Sequence, residues 1–333
     1  MGFILSLVAV LVLVGVSYFG AQAGLSKLFG IYIPYIALAI FIVGFVLKVL
    51  KWARSPVPFR IPTTGGQQKS LPWIDHAKLD NPSSTLGVIG RMLLEVFLFR
   101  SLFRNLRTEL RDGKLAYGWE KWLWIAGLVF HWCFLIVLIR HLRFFTQPVP
   151  FFVNLTDALD GFLQVGIPHF LMTGGLLLAA SLYLLLRRFY IPQVRYISLA
   201  ADYFPLLLII GIASSGILMR YFYKVDIIAV KQLTMGLATG SFSTFKPELL
   251  GGIGAIFYVH LFLISTLFAC FPFSKLMHLG GVFLSPTRNL ANNNRVKRHV
   301  NPWNYDVKVH TYDEYEEEFR DKMKMVELPV EKE

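Results

Sequence analysis

Four histidines carry the chemistry legible in this sequence. His131 and His141 stand ten residues apart in one apolar run, and His260 and His278 stand eighteen apart in and at the edge of another. Ionisable side chains inside membrane spans are costly and are read as functional by default. Ten residues is close to three helical turns, so His131 and His141 project from one face, about 15 Å apart. Eighteen is five turns, so His260 and His278 also share a face, about 27 Å apart. Three crossings separate the two runs, which makes them antiparallel. His141 then meets His260 toward the outside, and His131 meets His278 toward the cytoplasm. Two facing imidazoles at each of two depths suit the axial ligation of two stacked b-type haems, which need no cysteine. The two rises differ by about 12 Å, of which tilt or a bend at Pro272 takes up a part.

Other chemistries fit less well. Structural zinc wants four ligands converging on one point, and these pairs are too far apart axially. No C-x-x-C-H occurs for covalent haem attachment. A secondary transporter with a histidine proton relay predicts repeat symmetry that the sequence lacks. His169, in Gly166-Ile167-Pro168-His169, reads either as an interfacial histidine or as a proton acceptor at a quinol site near the outer haem. His76, His299 and His310 sit in polar segments and read as solvated. Arg140, Arg143 and Lys275 lie near the ligands at depths suited to haem propionates, and serve equally well as topology anchors.

The elements that must hold these residues follow from composition. The chain has 333 residues, 55% hydrophobic and only 16% charged, against about 25% charged in soluble proteins. Two cysteines exclude a disulfide scaffold, and the hydrophobicity excludes disorder over most of the length. The net charge of +12 sits mainly in loops between apolar runs, so no nucleic-acid partner is expected. Six apolar runs, at about 3–24, 31–50, 119–141, 166–186, 201–222 and 251–273, are long enough to cross a bilayer as helices. Alternating strand patterns are not evident. The expected fold is an all-α six-helix transmembrane bundle.

Ala21-Gln22-Ala23 resembles a signal-peptidase site, and Met1-Gly2 with Ser6 a myristoylation start. With no positive n-region and a long apolar stretch, the first run is kept as a helix. Arg and Lys concentrate in the loop after the second span, the loop after the fourth and the tail. All three fall on one side when both termini are cytoplasmic, in the cell membrane. Between about 86 and 111, Arg100, Arg104, Arg107 and Arg111 at helical spacing predict a helix whose cationic face either meets anionic lipid headgroups or is simply solvated. The tail from Pro286 is polar, then acidic from Asp313 to Glu318, and too poor in apolar residues for a core. It is expected to be disordered or docked on a partner.

The stretch His260-Leu-Phe-Leu, with Phe271-Pro272-Phe273-Ser274-Lys275-Leu276-Met277-His278, resembles the gamma (cytochrome b) subunit of respiratory nitrate reductases. So do Ile31-Tyr32-Ile33-Pro34-Tyr35-Ile36-Ala37 and Arg187-Arg188. The histidine spacings of ten and eighteen are those of that family, and the resemblance covers the last five spans. An extra first helix, the long basic loop and Arg298-His299-Val300-Asn301-Pro302-Trp303-Asn304-Tyr305 are more similar to the cytochrome b branch that serves the DsrMKJOP complexes of sulfur-metabolising prokaryotes. The resemblance implies two haem b groups, with His141 and His260 on the outer one and His131 and His278 on the inner one, and menaquinol oxidation beside the outer haem. It also implies a cytoplasmic iron–sulfur partner of the DsrK, heterodisulfide-reductase-like kind, with further DsrJOP-like subunits. The same cytochrome could instead serve nitrate or heterodisulfide reduction. Where the nitrate reductase subunit has a quinol-site lysine near the start of the following span, this chain has none, and His169 is the nearest basic side chain. The implied organisation is an added helix and outer loop at 1–30, a dihaem domain at 31–285 containing the basic loop 51–118, and a tail at 286–333.

Overall fold

The computed structural model describes residues 1–55, 75–161, 170–241, 243, 245–292 and 309–332. In chain order the elements are α1 (Gly2–Gln22), a π-helical turn (Leu28–Tyr32), α2 (Ile33–Ala53), α3 (Thr85–Leu98), α4 (Arg100–Phe103), β1 (Leu106–Arg111), β2 (Lys114–Trp119) and α5 (Lys121–His141). There follow α6 (Phe151–Asp160), α7 (Met172–Tyr190), α8 (Pro192–Ile197), α9 (Ala200–Tyr221), α10 (Ile227–Thr239), α11 (Pro247–Gly252), α12 (Ala255–Cys270), α13 (His278–Leu284), α14 (Pro286–Asn289) and α15 (Tyr312–Met325). Among the described residues six helices are long and apolar enough to cross a membrane: Gly2–Gln22, Leu28–Ala53, Lys121–Phe144, Met172–Tyr190, Ala200–Tyr221 and Ala255–Phe273. The protein is an all-α, multi-pass membrane bundle, and its spans lie close to the apolar runs, except that the fourth runs from Met172 to Tyr190 and not from about 166 to 186.

α12 is the central helix, packed on α1, α2 and α9, while α5 packs on α7 and α7 on α9. Close approach is secured by small residues. A side chain at Gly44 of α2 would strike Pro272, and one at Gly30 would press on the Tyr258 ring. Arg187 closes the base of the bundle by donating to Glu120 at 2.9 Å. At the opposite end α10 and α11 form a cap that sequence reading did not anticipate. Leu233 and Leu250 pack there with Phe29, Phe257 and Tyr258, and Thr234 Oγ1 donates to the Phe144 carbonyl at 2.6 Å.

Four expectations need correction. The 86–111 segment is not one helix with its arginines on one face. α3 ends where Phe99 takes a left-handed conformation (φ 50°), and Arg107 and Arg111 fall in β1, which pairs antiparallel with β2. The turn is Asp112-Gly113, with φ of 50° and 73°, the Asp-Gly signature of a two-residue hairpin. Arg100 and Arg104 both pair with Asp80. The second correction follows from the first: strand patterning is present, in this one hairpin among the described residues.

Third, the last span is not a continuous five-turn helix. α12 stops at Cys270 and gives way to a 3₁₀ turn at Phe271–Phe273, an extended Ser274 (φ −114°, ψ 174°) and a second 3₁₀ turn at Lys275–Met277. Proline lacks the N–H that a continuing helix needs, and Ser274 Oγ accepts from the Leu276 N–H at 3.2 Å to start the next turn. Fourth, the tail is partly ordered on this chain itself. The Asn292 N–H donates to the Pro82 carbonyl at 2.7 Å, and Arg288 donates to Glu95 at 3.2 Å. Farther on, α15 opens with a Thr311/Glu314 capping box. The motif 298–305 lies outside the described residues.

Candidate functional site

The four histidines meet in two pairs. The rings of His141 and His260 lie 6.4 Å apart, centroid to centroid, with 22° between their planes. Those of His131 and His278 lie 5.9 Å apart at 83°. α5 and α12 are not packed as direct neighbours, so the rings reach across the space between them. The pairing, His141 with His260 and His131 with His278, is the one read from the antiparallel spans. The eighteen-residue spacing fits because only His260 to Cys270 advances as α-helix, about 15 Å, which equals the rise from His131 to His141. The remaining residues are spent in turns.

Hydrogen bonds orient every ring through the same nitrogen. Nδ1 of His131 lies 2.7 Å from the Gly127 carbonyl, and Nδ1 of His141 lies 2.6 Å from that of Val137. Nδ1 of His278 lies 2.9 Å from the Lys275 carbonyl. A carbonyl only accepts, so these three rings carry their proton on Nδ1. The fourth, His260, meets Ser215 Oγ at 2.9 Å. That hydroxyl spends its one hydrogen on the Ile212 carbonyl at 3.0 Å, so it accepts from the His260 Nδ1–H. Among the described residues all four Nε2 lone pairs are left for a ligand, as metal-binding histidines require.

The residues present fit a b-type haem at each pair. A metal–imidazole bond of about 2 Å on either side of an iron puts the two ring centres roughly 6 Å apart. Gly216 supplies a cradle: a Cβ there would lie 3.3 Å from Cε1 of His260. One helical turn beyond Gly216, Nε of Arg220 is buried with no hydrogen-bond partner among the described residues, so a cation stands ready for an anionic group.

The three cations singled out from sequence have carboxylate partners. Arg140 donates to Asp157 at 3.1 Å and pairs with Asp160, and Arg143 donates to Asp157 at 3.2 Å. Lys275 donates to Asp202 at 2.6 Å. His169 lies outside the described residues. Sequence reading missed Ser215, Gly216, Arg220 and Phe99, whose ring meets that of His131 edge-on at 4.9 Å. A Ser-Gly pair inside an apolar run, with an arginine four residues on, was the available signal for the first three.

Comparison with known proteins bears on the same segment. Residues 114–299 match the family model of the nitrate reductase gamma subunit. A protein of Archaeoglobus fulgidus named an Hdr-like menaquinol oxidoreductase cytochrome b-like subunit is 48% identical over 282 residues, covering 84% of both chains. Its counterpart of the same name in Archaeoglobus profundus is 45% identical over 277 residues, covering 81% of both.

Proposed function

The chain belongs to the nitrate reductase gamma subunit family, and on that footing we propose that it is the quinol-oxidising cytochrome b subunit of a membrane oxidoreductase complex. The single observation that carries this reading is the doubled histidine pair with every Nδ1 engaged and every Nε2 left open. The names of the Archaeoglobus relatives support menaquinol as the substrate and a heterodisulfide-reductase-like complex as the setting. We assign one haem b to His141 and His260 and a second to His131 and His278. When bound, these groups supply one-electron transfer between quinol and an iron–sulfur partner.

The chain's own residues orient that chemistry. The Nδ1 bonds fix the ring tautomers and raise the basicity of Nε2. Arg220 is suited to a propionate, and the N–H donors that Arg140 and Arg143 do not spend on Asp157 and Asp160 can serve one. His169, three residues before α7, is the base assigned to quinol deprotonation on the outer side. The basic loops favour placing the His131/His278 end in the cytoplasm, with both termini. Two cysteines, one of them buried, are too few for a cluster, so a DsrK-like partner supplies it, with DsrJOP-like subunits completing a complex of sulfur metabolism. The cationic loop and acidic α15 are its docking surfaces. We take 31–285 as the cytochrome domain, 1–30 as an added span and 286–333 as the docking tail.

A reduced-minus-oxidised visible spectrum of the purified protein, with haem quantified per chain, tests the assignment. Two b-type haems are expected. His141→Ala should lose one haem together with quinol oxidation and leave the other reducible. A folded, cofactor-replete preparation with no haem spectrum would overturn the reading.

A further inference from the structure

We propose that α3 and α4 form a re-entrant helical pair that dips into the hydrocarbon layer beside the His131/His278 end, with lipid acyl chains covering its outer face. The inference needs only that α5 spans the membrane, and stands whatever the histidines hold.

Depth is the first observation. α5 receives this pair along one face: Phe103 packs on Trp124, with ring centroids 4.9 Å apart, and Phe99 packs on His131 at the same distance. Between them, a Cβ at Gly127 would lie 3.5 Å from Leu102. Positions 124, 127 and 131 are one helical face. α4 therefore runs antiparallel to α5, and its beginning lies deepest, where the Arg100 charge is met by Asp80. The Trp132 indole, beside that end, is about 16 Å along α5 from its start, about half the thickness of a hydrocarbon core of about 30 Å.

The second observation is how α3 ends. The last carbonyls of a helix have no partner within it. In water they are solvated, but in hydrocarbon each must find a donor from protein. Here two indole N–H groups of α5 reach them: Trp124 donates to the Leu98 carbonyl at 2.7 Å, and Trp132 to the Phe97 carbonyl at 3.1 Å. Phe99 then turns the chain in the left-handed region, a position usually given to glycine.

The third observation is the division of α3 into two faces. Val88 is buried, and Arg91 and Glu95 on the same side bond the Thr287 carbonyl and Arg288. On the opposite side Leu86, Ile89, Leu93 and Phe97 form a stripe at spacings of three, four and four, all exposed. A water-soluble partner could cover the shallow end of this stripe. The deep end lies beside mid-span residues of α5, where acyl chains are the surroundings.

The test uses the full chain in its assembled complex in liposomes, with Cys133 and Cys270 replaced by alanine and single cysteines at Leu86, Ile89, Leu93 and Phe97 carrying nitroxides. Collision with oxygen should rise, and collision with a water-soluble nickel chelate should fall severalfold, from Leu86 to Phe97. Phe97 should then match a lipid-facing control at Leu11. Chelate access at Phe97 equal to that at the exposed Lys224 position overturns the proposal, as does shielding from both reagents, which would mean a protein covers the stripe. Should the labelled variants misfold, the unmodified complex can be photolabelled with a diazirine-bearing phospholipid. Acyl-chain adducts within 86–97 are expected, and their absence while α1 is labelled overturns it equally.

Discussion

His141 and His260 face each other with ring planes only 22° apart, whereas His131 and His278 cross at 83°. Axial ligands set the electronic structure of a haem iron. Aligned imidazole planes split the relevant d orbitals, and crossed planes leave two of them nearly degenerate. With a haem held at each pair as proposed, the oxidised protein should therefore show two low-spin electron paramagnetic resonance signals, the one with the larger maximum g belonging to the crossed pair. His278→Ala should remove that signal alone and His260→Ala the other. One signal common to both variants would contradict the assignment.

Ser215→Ala removes the hydroxyl acceptor of the His260 Nδ1–H, 2.9 Å away in a buried site, and leaves only the Ile212 carbonyl beside that ring. Loss of such a partner weakens metal retention by about 10–100-fold. It also makes the imidazole a poorer donor, so the midpoint potential of that haem should rise. Redox titration followed at the haem band reads both effects, and Ser215→Thr should restore them. An unchanged potential with full occupancy would show that the hydroxyl does not tune the ligand.

Asp160 is nearly inaccessible and binds Arg140, the Thr173 N–H at 2.8 Å and the Thr173 hydroxyl at 2.6 Å. Breaking a buried pair from one side costs about 3–5 kcal/mol. Asp157 still holds Arg140, so Asp160→Asn should fall near the lower end of that range. Asp157, with 29% of its side chain exposed, should cost under about 1 kcal/mol when changed to asparagine. Thermal unfolding in detergent would rank the two, and the reverse order would refute the account.

In the tail, the Glu331 N–H, donating at 2.8 Å, holds the Glu316 carboxyl below the usual carboxylate range, aided by the Lys332 N–H and Arg320. A depressed folded pKa stabilises the folded form fully above the unfolded value of about 4.3. That stabilisation is lost as pH falls through the folded pKa. Hydrogen exchange of the last residues, corrected for intrinsic rate, should accelerate on acidification, and Glu316→Gln should show the acid behaviour already at neutral pH. Exchange indifferent to both would exclude this clasp.

The spans and the histidine pairs were legible because both depend on short-range regularities. Twenty apolar residues cross a bilayer wherever they fall, and His131 and His141 share a face on any α-helix. What was not legible depended on local breaks. Phe99 in a left-handed conformation ends α3 without a glycine to announce it. The Asp112-Gly113 turn was visible, but the arginines around it also fitted a helical period. α10 is too short to read as a span, and its burial against Phe29 and Tyr258 is a tertiary fact. The orienting role of Ser215 depends on α9 lying beside α12, which no spacing along the chain reveals.

The interruption between Cys270 and His278 sets a length scale. An unbroken helix would carry His278 about 12 Å farther than His131 can follow. Electron tunnelling weakens exponentially with the gap between redox groups. By converting axial rise into turns around Pro272 and Ser274, the chain holds its two histidine pairs at a common interval, the ruler that conduction through the two proposed haems would need.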